Sequence, residues 1–168
     1  MALQLFKIET VEVSSNASSV TFSNIPQGYT DLKLVGSVRS AVANPYDFIY
    51  FYMNGASGVN YPGRYVRGDG SSVSTGTYST SYFPIQFING NGATANTFGS
   101  FEMYIPNYTS ANYKSFSIDT LEETNSSGAF MDIVSGNWTQ TTAISSLLLA
   151  SGSGLFTANS TFTLYGVL

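Results

Sequence analysis

The sequence has no cysteine and no histidine among its 168 residues. The absence of cysteine excludes a disulfide framework, a thiol nucleophile and a cysteine-ligated zinc site. The absence of histidine removes the commonest general base and the commonest metal ligand. We therefore expect a protein that is not an enzyme and that carries no cofactor and no metal.

Charge is also scarce, since only 10% of the residues are charged against roughly 25% in an ordinary soluble domain. The net charge is −4, and the six basic residues are scattered, so no stretch of them could follow a phosphate backbone. No apolar run approaches the roughly 20 residues that a membrane helix needs. The N-terminal stretch alternates like a strand and lacks the apolar run of a signal peptide. We expect neither a nucleic-acid partner nor a membrane partner.

Strand-forming residues take the place of the missing charges. Aromatic residues make up 15% of the chain, and Ser, Thr, Asn and Gly supply its polar surface, a composition that favours strands and turns. Short alternating segments such as 31–38, 82–88 and 160–168 recur between turn clusters. The pattern predicts one all-β domain over residues 1–168, built as an antiparallel two-sheet sandwich. A jelly roll is the preferred topology, and an immunoglobulin-like sandwich is the second choice.

Residues 58–82 differ from the rest, because Gly and Ser crowd this stretch and its tyrosines are isolated. We predict a long surface loop here. Tyrosine among small polar residues is the composition of binding loops. A tolerant surface loop or a subunit contact is an equally good interpretation. The candidate binding residues are Tyr61, Arg64, Tyr65, Arg67, Asp69 and Tyr78.

The tripeptide Arg67-Gly68-Asp69 is one that many cell-adhesion ligands present to integrins. Its glycine and the following Gly70 suit a tight turn with positive φ. A secreted adhesion ligand would normally carry a signal sequence and often disulfides, and the sequence suggests neither. We interpret the tripeptide as a turn.

The adjacent carboxylates Glu122 and Glu123 would point to opposite faces of a strand. They therefore do not form the facing pair of carboxyl groups that glycoside hydrolysis requires. This spacing agrees with the expectation that the protein is not an enzyme.

Three lysines are few for a β-sandwich, because proteins commonly guard exposed sheet edges with such charges. Unguarded edges promote association, so we expect a homo-oligomer whose subunits cover one another's edges. A terminal strand can also add to a neighbour's sheet, which makes residues 1–8 the candidate anchoring strand. Its apolar residues are Leu3, Leu5, Phe6 and Ile8.

The C-terminal segment 137–168 resembles the closing segment of small jelly-roll virion proteins of tailed bacteriophages. That pattern has a tryptophan, a T-x-A-I-x-S-L strand and a final S-x-x-x-L-Y-G-hydrophobic strand. Residues 8–40 and 104–125 also resemble this group, and Asn159 stands where the group often has glycine. The matching residues are Trp138, Thr141, Ala143, Ile144, Ser146, Leu147, Phe156, Ser160, Leu164, Tyr165, Gly166 and Val167.

The resemblance implies a structural protein of the bacteriophage particle, assembled in the host bacterial cytoplasm and located in the virion. Proteins of this group serve as capsid decoration or cement proteins, as head fibres or as tail appendages, and they commonly form trimers. The resemblance therefore implies a homotrimer that binds other virion proteins such as the major capsid protein. A tail or fibre module that binds a host receptor or glycan is the alternative.

Overall fold

The computed structural model describes residues 4–56, 58, 61–124 and 128–168. These residues form twelve β-strands and contain no helix. The described part of the chain accordingly offers no helix that is long and apolar enough to cross a membrane. The strands are β1 (Leu5–Glu12), β2 (Ser19–Phe22), β3 (Asp31–Val38), β4 (Tyr46–Met53), β5 (Tyr61–Gly68), β6 (Val73–Thr80), β7 (Phe83–Asn89), β8 (Gly99–Ile105), β9 (Lys114–Glu123), β10 (Ala129–Trp138), β11 (Leu147–Ser151) and β12 (Thr161–Val167).

Eight of the strands pair in a nested order. β1 pairs with β12, β2 with β11, β3 with β8 and β4 with β7, all antiparallel. These strands lie in two sheets, in the orders β1-β12-β3-β8 and β2-β11-β4-β7. A long hairpin rolled up in this way is a jelly roll. The predicted all-β, two-sheet sandwich is confirmed, and its topology is the preferred one.

Two inserted hairpins enlarge the first sheet. The β5–β6 hairpin lies between β4 and β7 in sequence, and the β9–β10 hairpin lies between β8 and β11. Together they continue the sheet in the order β8-β9-β10-β5-β6, so the larger sheet has eight strands and the smaller has four. The loop predicted over residues 58–82 is therefore wrong, because most of this stretch is paired strand.

Glycines made the β5–β6 hairpin look like a loop, but two of them, Gly63 and Gly76, lie beneath aromatic rings in the sheet. A Cβ added at Gly76 would lie 2.5 Å from the ring of Tyr65, its cross-strand partner. Gly136 lies in the same way beneath Phe116, its partner on β9. The ring buries apolar surface where the glycine has no side chain, which offsets the weak strand preference of glycine.

The core lies between the two sheets and follows the alternation of the strands. β4 places Ile49, Phe51 and Met53 in the core, each fully buried, and its other face is half-exposed. Pro84 lies on β7, the edge strand of the smaller sheet, whose pairing with β4 is irregular. Such a position suits proline, which cannot donate to a ladder.

Asparagine takes the left-handed conformation at several turns, including those at Asn54 and Asn159. Asn54 and Gly55 have φ values of 53° and 61°, and the amide of Ala56 donates to the carbonyl of Met53 at 3.1 Å, as in a type I′ turn. Asn159 has a φ of 68°. Asparagine therefore supports here the left-handed turn for which the resembling group often uses glycine.

Two basic residues hold loops together from inside the protein. The ammonium of Lys114, a residue only 1% exposed, donates to the carbonyls of Ser110, Asn112 and Thr142 at 2.6–2.7 Å. Three acceptors match the three N–H donors of the group. The Arg39 guanidinium makes similar bonds to carbonyls of residues 93–97. These cations serve the fold and are not available to a ligand.

Candidate interaction surface

The six residues predicted to bind a ligand lie on the β5–β6 hairpin and its turn, but they do not form one site. Tyr61 is fully buried, and the backbone amide of Met53 donates to its hydroxyl at 3.0 Å. Burial raises the pKa of that hydroxyl to about 12. Arg64 is exposed on the opposite face of β5 from Tyr65. Tyr61 thus belongs to the core, and Arg64 belongs to a different surface.

Tyr65, Arg67 and Tyr78 do come together, on the inner side of the hairpin. The rings of Tyr65 and Tyr78 stack with centroids 5.2 Å apart. The Arg67 guanidinium lies 4.7 Å from the ring of Tyr65 and 4.2 Å from that of Phe87. Its Nε donates to the fully buried carboxylate of Asp132 at 2.8 Å. A buried carboxylate needs such a partner, so these contacts stabilise the fold.

Asp69 closes the turn between β5 and β6. Its carboxylate accepts hydrogen bonds from the hydroxyls and amides of Ser71 and Ser72 at 2.7–2.9 Å. These bonds, that from the Ser72 hydroxyl foremost, hold the pKa of Asp69 well below its ordinary value. Gly70 has a φ of 84°. Because Arg67 is also paired inside the molecule, the geometry favours the interpretation of the tripeptide as a turn.

The predicted anchoring strand lies partly within β1. Leu3 lies outside the described residues. Leu5 and Phe6 are 47% and 40% exposed, whereas Ile8 packs against the core. β1 pairs with β12 along one side and is an edge of its sheet. Its role as an added strand in a neighbour's sheet stays a prediction.

The outer face of the larger sheet carries an apolar patch that the sequence did not lead us to expect. Val66, Leu121, Met131 and Ile133 are 48–61% exposed. Met131 lies opposite Leu121 on β9, and Ile133 lies opposite Val66 on β5. The four side chains form one contiguous block, which we name the outer-face patch.

The orientation of β10 buries a charged residue and exposes two apolar ones. Met131 and Ile133 occupy one face of this strand, and Asp132 occupies the other. Treating apolar residues as buried would place Ile133 in the core. Val134 and Trp138, each 1% exposed, lie on the same face as Asp132, and the ion pair with Arg67 allows the carboxylate to be buried beside them. Two apolar side chains consequently face solvent.

Two shallow grooves lie side by side on this face and share Ile133. Their volumes are about 520 Å³ and 500 Å³. The first is lined by most of the outer-face patch and by the acidic Glu102 and Asp119, and the second by Arg64 and hydroxyl-bearing residues. An apolar centre with a polar rim is the usual composition of a protein-binding surface. Among the described residues, no group of three or more acidic side chains could hold a metal ion.

The adjacent carboxylates separate as predicted, since Glu123 is exposed and Glu122 is fully buried. Neither carboxylate oxygen of Glu122 has a hydrogen-bond partner among the described residues. Burial, followed by the charge of Glu123, raises the pKa of Glu122 to about 7. Glu122 therefore stays protonated below neutral pH and affects the stability of the fold.

An aromatic row lies on the outer face of the smaller sheet. It consists of Tyr50 and Tyr52 on β4 and Tyr82 just before β7, all half-buried. The ring centroid of Tyr82 lies 4.2 Å from that of Tyr50 and 6.3 Å from that of Tyr52. Burial raises the pKa of the Tyr50 and Tyr52 hydroxyls. The row therefore offers apolar ring faces together with neutral hydroxyl groups.

The chain matches no protein-family model and no curated protein. Among solved structures, it aligns with one described as the CBM2 module of Lactobacillus casei BL23 phage J-1 evolved Dit. The alignment covers 93% of this chain and 75% of that chain, with 11% identity and a TM-score of 0.16. A TM-score of this size establishes neither a shared fold nor a shared function.

Proposed function

We propose that this chain is a structural protein of a bacteriophage particle, namely a decoration or cement protein that binds the head surface as an oligomer. The observation that carries the proposal is the outer-face patch, because contiguous exposed apolar side chains with a polar rim mark protein–protein contacts. The jelly-roll topology and the sequence resemblance to virion proteins support the same function. The proposed partners are copies of this chain and the major capsid protein.

The outer-face patch supplies a physical basis for attachment. Each buried CH₂ group contributes about 0.8 kcal/mol, so covering four half-exposed apolar side chains gives a favourable contact. Repetition over many copies of a particle surface then adds avidity without any new contact. Attachment of this kind needs no catalytic group, and mechanical reinforcement of the particle would be its result.

A double variant, Met131→Asp with Ile133→Asp, should lower the occupancy of the protein on purified particles at least tenfold. Two charges without partners would be buried at the contact, and each tenfold loss corresponds to about 1.4 kcal/mol. Both positions are exposed, so circular dichroism should match the wild type, but the charge introduced at position 133 lies opposite Asp119 on β9, so the thermal midpoint should fall by a few degrees. Quantitative mass spectrometry of purified particles measures the occupancy.

Thr21→Asp is the matched control, since Thr21 is exposed on β2 of the smaller sheet. This control should bind particles like the wild type. Full occupancy of the doubly substituted variant would show that another surface makes the attachment. Immunogold label at the tail instead of the head would contradict the decoration role and favour the second function below.

The aromatic row favours a second function, that of a tail or fibre module that binds a host-surface glycan. Tyrosine rings offer flat apolar surfaces, and their hydroxyls add polar contacts at low entropic cost. Because Tyr65 and Tyr78 lie on the inner side of the hairpin and pack against the core, Tyr50 and Tyr82 are the better candidates for sugar contact.

Tyr50→Ala and Tyr82→Ala should each weaken binding to a glycan array at least tenfold if this second function holds. The loss follows from removing one of two adjoining rings that a sugar would cover. Tyr113→Ala is the control, because Tyr113 is 60% exposed and lies outside the row. A wild-type protein that binds no glycan on the array, or an equal loss with Tyr113→Ala, would count against this function.

A further inference from the structure

The two sheets have four edge strands, and three of them carry features that oppose the addition of another strand. β1 contains three charged residues and a register irregularity. β2 is only four residues long. β7 contains Pro84 and pairs irregularly with β4. These are the devices by which β-proteins avoid edge-to-edge association.

β6 is the exception among the four edges. It is eight residues long and contains neither a charged residue nor a proline. Within the described part of the chain, β5 is the strand that pairs with it, and no strand lies on its other side. Val73 is 73% exposed, and Thr75 and Thr77 are also exposed. A long, regular and uncharged edge is a template for pairing with another strand.

We propose that β6 is the surface through which this protein associates with itself, by antiparallel pairing of the β6 strands of two copies around a two-fold axis. The proposal rests on the self-association in the proposed function and specifies its contact. A second copy fits because the two strands are identical and uncharged, so no like charges meet at the axis. The pairing joins two eight-stranded sheets, and it places both outer-face patches on one continuous sheet.

The fold also restricts the register of this pairing. In an antiparallel pair, a residue whose backbone N–H and C=O point out of the sheet edge must face a residue of the other strand that points the same way. Such residues alternate along β6, so the residue numbers of any two facing residues add up to an even number. The ring of Tyr65 already fills the space above Gly76, which leaves no room for Tyr78 of a second copy. Two registers with an even sum overlap the strands most, with Gly76 opposite either Gly76 or Tyr78 of the second copy, so the exclusion of Tyr78 leaves Gly76 opposite Gly76. Thr75 then lies opposite Thr77 of the second copy in two equivalent pairs.

This register predicts opposite results for two double variants. Thr75→Lys with Thr77→Lys places like charges opposite each other in both pairs, which should raise the dimer dissociation constant at least tenfold. Thr75→Lys with Thr77→Glu places opposite charges in both pairs and should remain dimeric. Sedimentation equilibrium of the full chain measures the mass, and circular dichroism verifies the fold of each variant.

Several results would overturn the proposal. These are a wild type that stays monomeric at high concentration, a two-lysine variant that dimerises like the wild type, and a lysine–glutamate variant that does not dimerise. A trimeric wild type would instead support the three-fold assembly that the resemblance implies. If the variants dimerise as predicted but the protein binds no particle, the result contradicts the proposed function and supports the β6 contact.

Discussion

Lys114→Met should lower the free energy of unfolding by about 3–5 kcal/mol. Methionine keeps the length and apolar stem of the side chain but leaves the carbonyls of Ser110, Asn112 and Thr142 without their charged donor. The ammonium also lies 5.6 Å from the ring centroid of Trp138, a cation–π contact that methionine loses. Since native domains are stable by only about 5–15 kcal/mol, this one side chain supports a large part of the fold.

Urea unfolding measures the effect, and Lys33→Met is the control with the same chemical change. Lys33 pairs with Glu102 at 2.7 Å, but both side chains are partly exposed. Exposed pairs contribute about 0–1 kcal/mol, so the control should unfold near the wild-type midpoint. Equal midpoints for the two variants would show that the bonds from Lys114 to the loops contribute no more to stability than the exposed Lys33–Glu102 pair.

Glu122→Gln should stabilise the protein at pH 8 by about 1–3 kcal/mol, and it should have little effect at pH 5. The buried carboxyl is charged at pH 8 in the wild type, without a hydrogen-bond partner among the described residues. Glutamine has nearly the same shape and carries no charge at either pH. The variant therefore mimics the protonated wild type at all pH values.

The sign of this pH dependence follows from the direction in which burial shifts the pKa of Glu122. Burial raises the pKa of Glu122 from its ordinary value of 4.5 to about 7, so the folded state holds its proton more tightly than the unfolded state. The stability from this proton is fully present below about pH 4.5 and is lost as the pH rises through about 7. Burial also raises the pKa of Asp132, but Asp132 is present in both proteins and cancels in the comparison.

Urea midpoints at pH 5 and pH 8 test this prediction. Glu9→Gln is the control, because Glu9 is exposed on β1 and its neutralisation changes no buried charge. The stabilisation should appear at pH 8 in the Glu122 variant alone. If the urea midpoint of the Glu122 variant differs from that of the wild type by the same amount at both pH values, burial does not raise the pKa of Glu122.

The jelly-roll strands were predictable from the sequence because their signals are local. Alternation within β3 and β12, together with turn residues at Asn54 and Gly55, needs no knowledge of distant parts of the chain. The β5–β6 hairpin was not predictable in this way. Its glycines are compatible with strands because of rings such as Tyr65 above Gly76, and its pairing with β10 is a contact between distant segments.

The candidate surface depended on a contact of the same kind. The sequence indicates that Asp132 and Ile133 lie on opposite faces of a strand, but not which of them is buried. Asp132 is buried through its bond to Arg67, a residue 65 positions away, and Val134 and Trp138 are buried on the same face. The tyrosines of residues 58–82 were expected together, whereas the fold buries Tyr61 in the core and leaves Tyr82 in the aromatic row. Local composition could not distinguish these environments.

The nested order of the strands has a consequence for biosynthesis. β12 lies between β1 and β3, so the larger sheet stays divided until residues 161–167 have left the ribosome. Until then, β1 lacks its partner strand, and Ile8 and Val11, which pack against the core in the folded protein, stay unprotected. Pairings between such distant segments close slowly, on the scale of milliseconds to seconds. Before this pairing, newly made chains expose apolar surface and an unpaired strand edge, which makes them prone to aggregate.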